Sequence, residues 1–155
     1  MEDLLTAPVP ELCRHDAGRL VNGVLPLQNP QLGFVGIAQV SEQDGGGYRT
    51  AIGDVTGDGV DDGALATSCS AGGVAWPATV QVYTKGARYL GGVDLGDLTH
   101  GREYVTQLAI TGGRVEIRWL TNGPDDGACC PTVPMAGRLR WNGDTMVVED
   151  VREDR

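Results

Sequence analysis

Apolar positions along this chain recur far more often at a period of two than at the 3.6 of a helix. Val115, Ile117 and Trp119 alternate with Glu116 and Arg118, so residues 114–120 are predicted to form a strand with one buried face. Its partner is expected at 105–110, across the short connection Thr111-Gly112-Gly113. The same pattern pairs 79–83 with 88–95 around Thr84-Lys85-Gly86-Ala87. It also pairs 138–141 with 145–148 around Asn142-Gly143-Asp144, where Asn-Gly is the strongest short hairpin signal. Residues 34–40 and 48–52 read as a further pair, joined by the loop 41–47, whose Gly45-Gly46-Gly47 supplies free backbone angles. Helix signals amount to a turn or two at 1–5 and 102–108; Pro8 and Pro10 limit the first, and the second alternates like a strand. The expected fold is all-β: an antiparallel sheet or sandwich, or an incomplete propeller-like sheet, of eight to nine short strands with little helix. The 155 residues are read as a single β-rich domain.

Charge narrows the partners. Twelve Lys and Arg stand against 21 Asp and Glu, a formal net charge of −9. An acidic chain without a basic patch does not neutralise nucleic-acid phosphates or dock on an anionic membrane. No apolar stretch approaches the ~20 residues needed to span a bilayer, so membrane insertion is not expected. Lys85 is the single lysine.

The chain has four cysteines, Cys13, Cys69, Cys129 and Cys130. An even count in a small acidic domain predicts two disulfides and an oxidising compartment. Adjacent cysteines close only a strained eight-membered ring, because their Cα atoms sit ~3.8 Å apart, below the usual ~4.4–6.8 Å. The expectation is therefore that Cys13 pairs with one of Cys129 and Cys130, and Cys69 with the other. Free buried thiols are the first alternative and zinc the weaker one: Cys13, His15 and the Cys129-Cys130 pair lack the paired-cysteine knuckles of a tetrahedral site. The predicted localisation is secreted or cell-envelope. Met1-Glu2-Asp3 is acidic where an export signal opens with basic residues, so the signal segment itself is expected to be absent from this sequence.

One segment carries metal chemistry: Gly53-Asp54-Val55-Thr56-Gly57-Asp58-Gly59-Val60-Asp61-Asp62-Gly63. With Asp54 as position 1, side-chain oxygens fall at position 3 (Thr56), 5 (Asp58) and 9 (Asp62). Gly59 sits at the sharp turn of position 6, and Val60 at position 7 offers its carbonyl. Alternate residues of a tight turn aim their oxygens at one centre, which suits a hard cation, and Ca²⁺ is the expected cofactor. Position 12 is Leu65 rather than a bidentate Glu, so the loop does not read as a helix-opening sensor.

This ten-residue stretch resembles the calcium loop of FG-GAP and VCBS-type repeats, found in integrin-like propellers and many exported bacterial proteins. The resemblance implies that the aspartates and the position-3 residue bind Ca²⁺ in a hairpin between two strands. The chain has one convincing copy and strands for two blades at most, so a closed propeller ring is not expected. The segments VPELCRHDAGRLVNGVLP, the GDG loop, and CCP followed by RLRWNG are also similar to small exported proteins and lipoproteins of actinobacteria.

Catalytic motifs are missing: no His-Glu-x-x-His, no Gly-x-Ser-x-Gly, no glycine-rich loop followed by Lys-Ser/Thr, and only His15 and His100 as histidines. No catalytic residue and no enzyme activity is expected. Among the aromatics, Trp119 lies on an apolar alternation and is expected in the core, whereas Trp76, in Ala75-Trp76-Pro77 after Gly72-Gly73, is the candidate ligand-facing ring. The sequence thus predicts an exported, non-catalytic, calcium-binding interaction module stabilised by disulfides, with a protein or glycan partner. The alternatives are a purely structural envelope domain, a carbohydrate-binding module and, last, a hydrolase.

Overall fold

The computed structural model describes residues 2–154 and is all-β, a sandwich of antiparallel sheets. A 3-10 turn at Glu2–Thr6 leads into a small sheet of β1 (Pro8–Val9) and β2 (Gly18–Arg19). There follow β3 (Phe34–Ile37), β4 (Thr50–Gly53), β5 (Asp62–Ser70), β6 (Thr79–Thr84) and β7 (Arg88–Asp94), which form one five-stranded sheet. One helical turn, α1 (Gly96–Thr99), crosses to the second sheet. That sheet contains β8 (Tyr104–Thr111), β9 (Arg114–Thr121), β10 (Val133–Trp141) and β11 (Met146–Glu153), in the order β11-β10-β9-β8.

The three expected hairpins β6–β7, β8–β9 and β10–β11 are present with their short connections. Gly112 and Gly113 both have positive φ, 59° and 77°, as a two-residue hairpin turn requires. Asn142 Oδ1 accepts from the N–H groups of Asp144 and Thr145 at 2.8 and 2.9 Å and shapes the last turn.

Other expectations are corrected. Residues 34–40 and 48–52 do not form a two-stranded pair. They share only the Gln39–Tyr48 bridge and adjacent backbone bonds before both lie end to end along one edge of β5, β3 on residues 67–70 and β4 on residues 62–65. Residues 104–108, at the second possible helix, are strand; the chain turns sharply instead at Glu103, whose φ is +47°. The described strands number eleven, because the two-residue β1 and β2 and the long β5 add to those expected.

β5 is the central element and the least visible in the sequence. Its DGALATSCS is small-residue-rich and nearly all buried, since layers cover both of its faces. Ala64 and Ala66, with Val80 and Val82 of β6, face the second sheet and pack among Val105, Leu108, Val115, Ile117, Trp119 and Leu139. Leu65, Cys69 and Tyr83 face the other way, with Val35 and Ile37, and pack under Leu4, Val9, Leu20 and Leu25 of the N-terminal segment. A large alternating face is therefore replaced by small residues between two layers. Between the two sheets, a Cβ on Gly53 would lie 2.5 Å from Ile110 Cγ2, so β4 meets β8 without a side chain on Gly53 between them.

The disulfide pairing differs from expectation. Cys13 bonds Cys69 and Cys129 bonds Cys130. The N-terminal segment lies across the back of β5, which brings the Cys13 and Cys69 Cα atoms to 6.1 Å. Cys129 and Cys130 lie instead in the exposed β9–β10 loop, and an irregular loop accommodates the eight-membered ring.

Candidate metal centre and aromatic groove

β4 ends opposite the start of β5, with Gly53 paired to Asp62, so the loop 54–61 is a turn between antiparallel neighbours that holds Asp54 and Asp62 at its base. Two reversals bring the middle of the loop back over that base. Gly57 and Gly59 have φ of +83° and +81°, angles that a side chain disfavours. Asp54, Asp58 and Asp62 consequently each offer a carboxylate oxygen, and these oxygens lie within 4.8 Å of one another, a spacing one cation can bridge.

Backbone amides organise the cluster. Asp54 Oδ1 accepts from Gly57 N and Oδ2 from Gly59 N, both at 2.8 Å. Asp62, almost fully buried, accepts at Oδ2 from Val55 N at 2.8 Å and Thr56 N at 3.2 Å. Asp58 Oδ1 accepts from Val60 N at 2.9 Å. The Thr56 hydroxyl lies between Asp54 Oδ1 and Asp62 Oδ2, at 3.5 and 3.4 Å, so the position-3 residue is inside the cluster. Val60 joins it through its backbone, while its side chain is exposed. Leu65, at position 12, points into the core under the N-terminal segment and leaves the twelfth position without a ligand.

The amides of Gly59 and Gly57 hold the Asp54 carboxyl below its ordinary value of 3.8. A carboxyl lowered in the fold contributes stability above its unfolded pKa and loses it as pH falls through the folded value. Asp54 therefore keeps its charged form at neutral pH, beside the Asp58 and Asp62 side chains and the Thr56 hydroxyl. This oxygen-only set suits a hard cation; no His or Cys belongs to the cluster.

Trp119 is buried as expected, and its indole N–H donates to Thr99 Oγ1 at 3.1 Å. Trp76 is 36% exposed, with the Arg14 guanidinium 5.8 Å from the centre of its ring. It lines a cavity of about 500 Å³ with the exposed Phe34 and Tyr104, beside Arg102 and Gln39. Of the remaining sequence candidates, His15 Nε2 contacts Ser70 O at 2.8 Å, and His100 caps α1 in a left-handed conformation. Neither histidine is placed in the aspartate cluster.

The sequence reading missed Glu103, which is 1% exposed and buried behind the groove. Its only trace in the sequence is a charged residue directly before an alternating run. Phe34 and Tyr104 also join the groove only through the fold, one from each sheet. No helix among the described residues is long and apolar enough to cross a membrane. No protein-family model, curated protein or solved structure matches this chain.

Proposed function

We propose that this protein is an exported, non-catalytic interaction module whose β4–β5 loop is stapled by Ca²⁺ and whose N-terminal layer is stapled by a disulfide. The observation that carries this reading is the convergence of Asp54, Asp58 and Asp62 within 4.8 Å. Asp54, Thr56, Asp58 and Asp62 would supply side-chain oxygens and Val60 its carbonyl, and the ion would offset the repulsion among carboxylates that the turn forces together. Three carboxylates without a bidentate Glu correspond to the weak calcium sites of extracellular modules, with Kd of about 10⁻⁴–10⁻³ M. Two disulfides agree with that setting. The ion is assigned a structural task, because the loop bridges two paired strands of one sheet and has no second element to swing.

Thermal unfolding with Ca²⁺ and with chelator, without reductant, tests the assignment. At roughly hundredfold saturation, binding to the native state adds about 2.7 kcal/mol, or ~5–10 °C at this size. Asp58→Ala is expected to abolish that shift while keeping the strand spectrum by circular dichroism. A wild-type protein that melts at the same temperature in both buffers has no calcium site at this loop.

The aromatic groove favours a glycan over a protein as the partner, since exposed Phe34, Trp76 and Tyr104 give stacking faces around a cavity of about 500 Å³. On a soluble glycan array, wild type is expected to give reproducible hits that quench tryptophan emission, and Trp76→Ala to lose both signals. Hits that survive Trp76→Ala would place the glycan elsewhere, and an array without hits would leave the structural alternative standing.

A further inference from the structure

The two disulfides occupy opposite environments. Cys13 and Cys69 are 6% and 2% exposed inside the N-terminal layer, and their bond spans 56 residues. Cys129 and Cys130 are both exposed, in the loop between β9 and β10. Their Cα atoms are 3.7 Å apart as chain neighbours, short of the ~4.4–6.8 Å that an unconstrained disulfide takes. A bond between adjacent residues also closes almost no chain, so it restrains the unfolded state little. Its stabilising role is correspondingly small.

The loop is also braced by hydrogen bonds that do not involve the sulfurs. Asp126 accepts from Gly123 N at 2.7 Å, from Thr132 N at 2.9 Å and from the Thr132 hydroxyl at 2.8 and 2.9 Å. Asn122 Nδ2 donates to Gly127 O at 2.8 Å, and Cys130 N donates to the same carbonyl at 3.0 Å. Beside the two cysteines lies a cavity of about 340 Å³, open between Val74, Arg102, Tyr104 and Pro131, with room for an attacking thiol. Access, a constrained ring and a loop with independent bracing are what thiol exchange at a native fold requires.

We propose that Cys129–Cys130 is a thiol–disulfide exchange site that accepts two electrons from a dithiol while Cys13–Cys69 and the fold remain intact. One thiolate of the dithiol attacks a Sγ of the pair, forming a mixed disulfide and releasing the other cysteine as a thiolate. The second thiolate of the reductant then displaces the bound cysteine and closes the reductant's own disulfide. Two protons pass to the two cysteines, so a dithiol and a disulfide exchange states with nothing left over.

The test uses the full chain in native buffer at graded ratios of reduced to oxidised dithiothreitol. Acid quenching, alkylation with N-ethylmaleimide and peptide mass spectrometry then follow each pair. The tryptic peptide covering 119–138 is expected to gain two labels at a ratio at least about tenfold lower than the one that labels Cys13 and Cys69. The far-UV spectrum should be unchanged at that ratio. Simultaneous labelling of all four cysteines, or labelling of Cys13 and Cys69 first, overturns the proposal, as does resistance of Cys129 and Cys130 until the protein unfolds.

Discussion

Glu103→Ala is expected to destabilise the fold by about 3–5 kcal/mol, seen as a melting temperature lower by roughly 6–20 °C. The carboxyl is 1% exposed and joins three pieces of chain. Oε1 accepts from Gly101 N and from the Thr121 hydroxyl, each at 2.6 Å, while Oε2 accepts from the Thr99 hydroxyl. Thr99 Oγ1 in turn accepts from the buried Trp119 indole N–H. The α1 turn, the end of β9 and the core tryptophan are thus registered through one side chain, and Glu103 O also accepts from Ala78 N at 3.2 Å. Truncation strands the half-buried Gly101 amide and the buried Thr121 hydroxyl and leaves a cavity, and unmet buried donors cost about 1–3 kcal/mol each. Glu103→Gln keeps the chain length and one acceptor oxygen but turns an NH₂ toward a hydroxyl that now has to act as acceptor. It should lie between wild type and alanine. Urea titration and thermal unfolding measure all three; a loss below 1 kcal/mol for Glu103→Ala would mean that this network carries no net stability.

The reason this network escaped the sequence reading is physical. Strands with one wet face announce themselves by alternation, and β9 does so through Val115, Ile117 and Trp119, all of which are buried. The Asn-Gly turn before β11 and the Asp-rich turn before β5 depend on local backbone chemistry, so they are legible too. β5 is not, because a strand sandwiched between two layers trades alternation for small residues, and Ala64, Leu65 and Ala66 are buried in succession. Cys13–Cys69 depends on the N-terminal segment crossing the back of β5, a long-range event that spacing does not encode. Glu103 satisfies itself with partners two, four and eighteen residues away, one of them on another strand. A buried acid of this kind looks in the sequence like any solvated charge.

Removing the structural disulfide with Cys13→Ala and Cys69→Ala together is expected to cost about 4 kcal/mol, the loop-closure entropy of a span of 56 residues, and roughly 8–16 °C in melting temperature. Alanine is the right replacement because both sites lie in an apolar cluster, where a serine hydroxyl would add its own penalty. The N-terminal layer is the part that should feel the loss. Its backbone pairing includes the two-residue β1–β2 ladder, isolated bridges at Leu12–His15 and Val21–Val24, and a single bridge to β3, Val24–Gly36, at its far end. Its ties to the sheet, apart from packing, include the Tyr83 hydroxyl donating to Pro8 O at 2.7 Å and His15 against Ser70 O. Hydrogen exchange in residues 7–25 of the double variant should therefore accelerate well before exchange in β9 and β10, whose strands are paired on both sides. The corresponding change at Cys129 and Cys130 should move the melting temperature by no more than about 2 °C, since a bond between neighbours removes so little freedom from the unfolded chain. Equal losses from the two double variants would contradict this division, and uniform acceleration of exchange across both sheets would show that the N-terminal layer unfolds only with the whole domain.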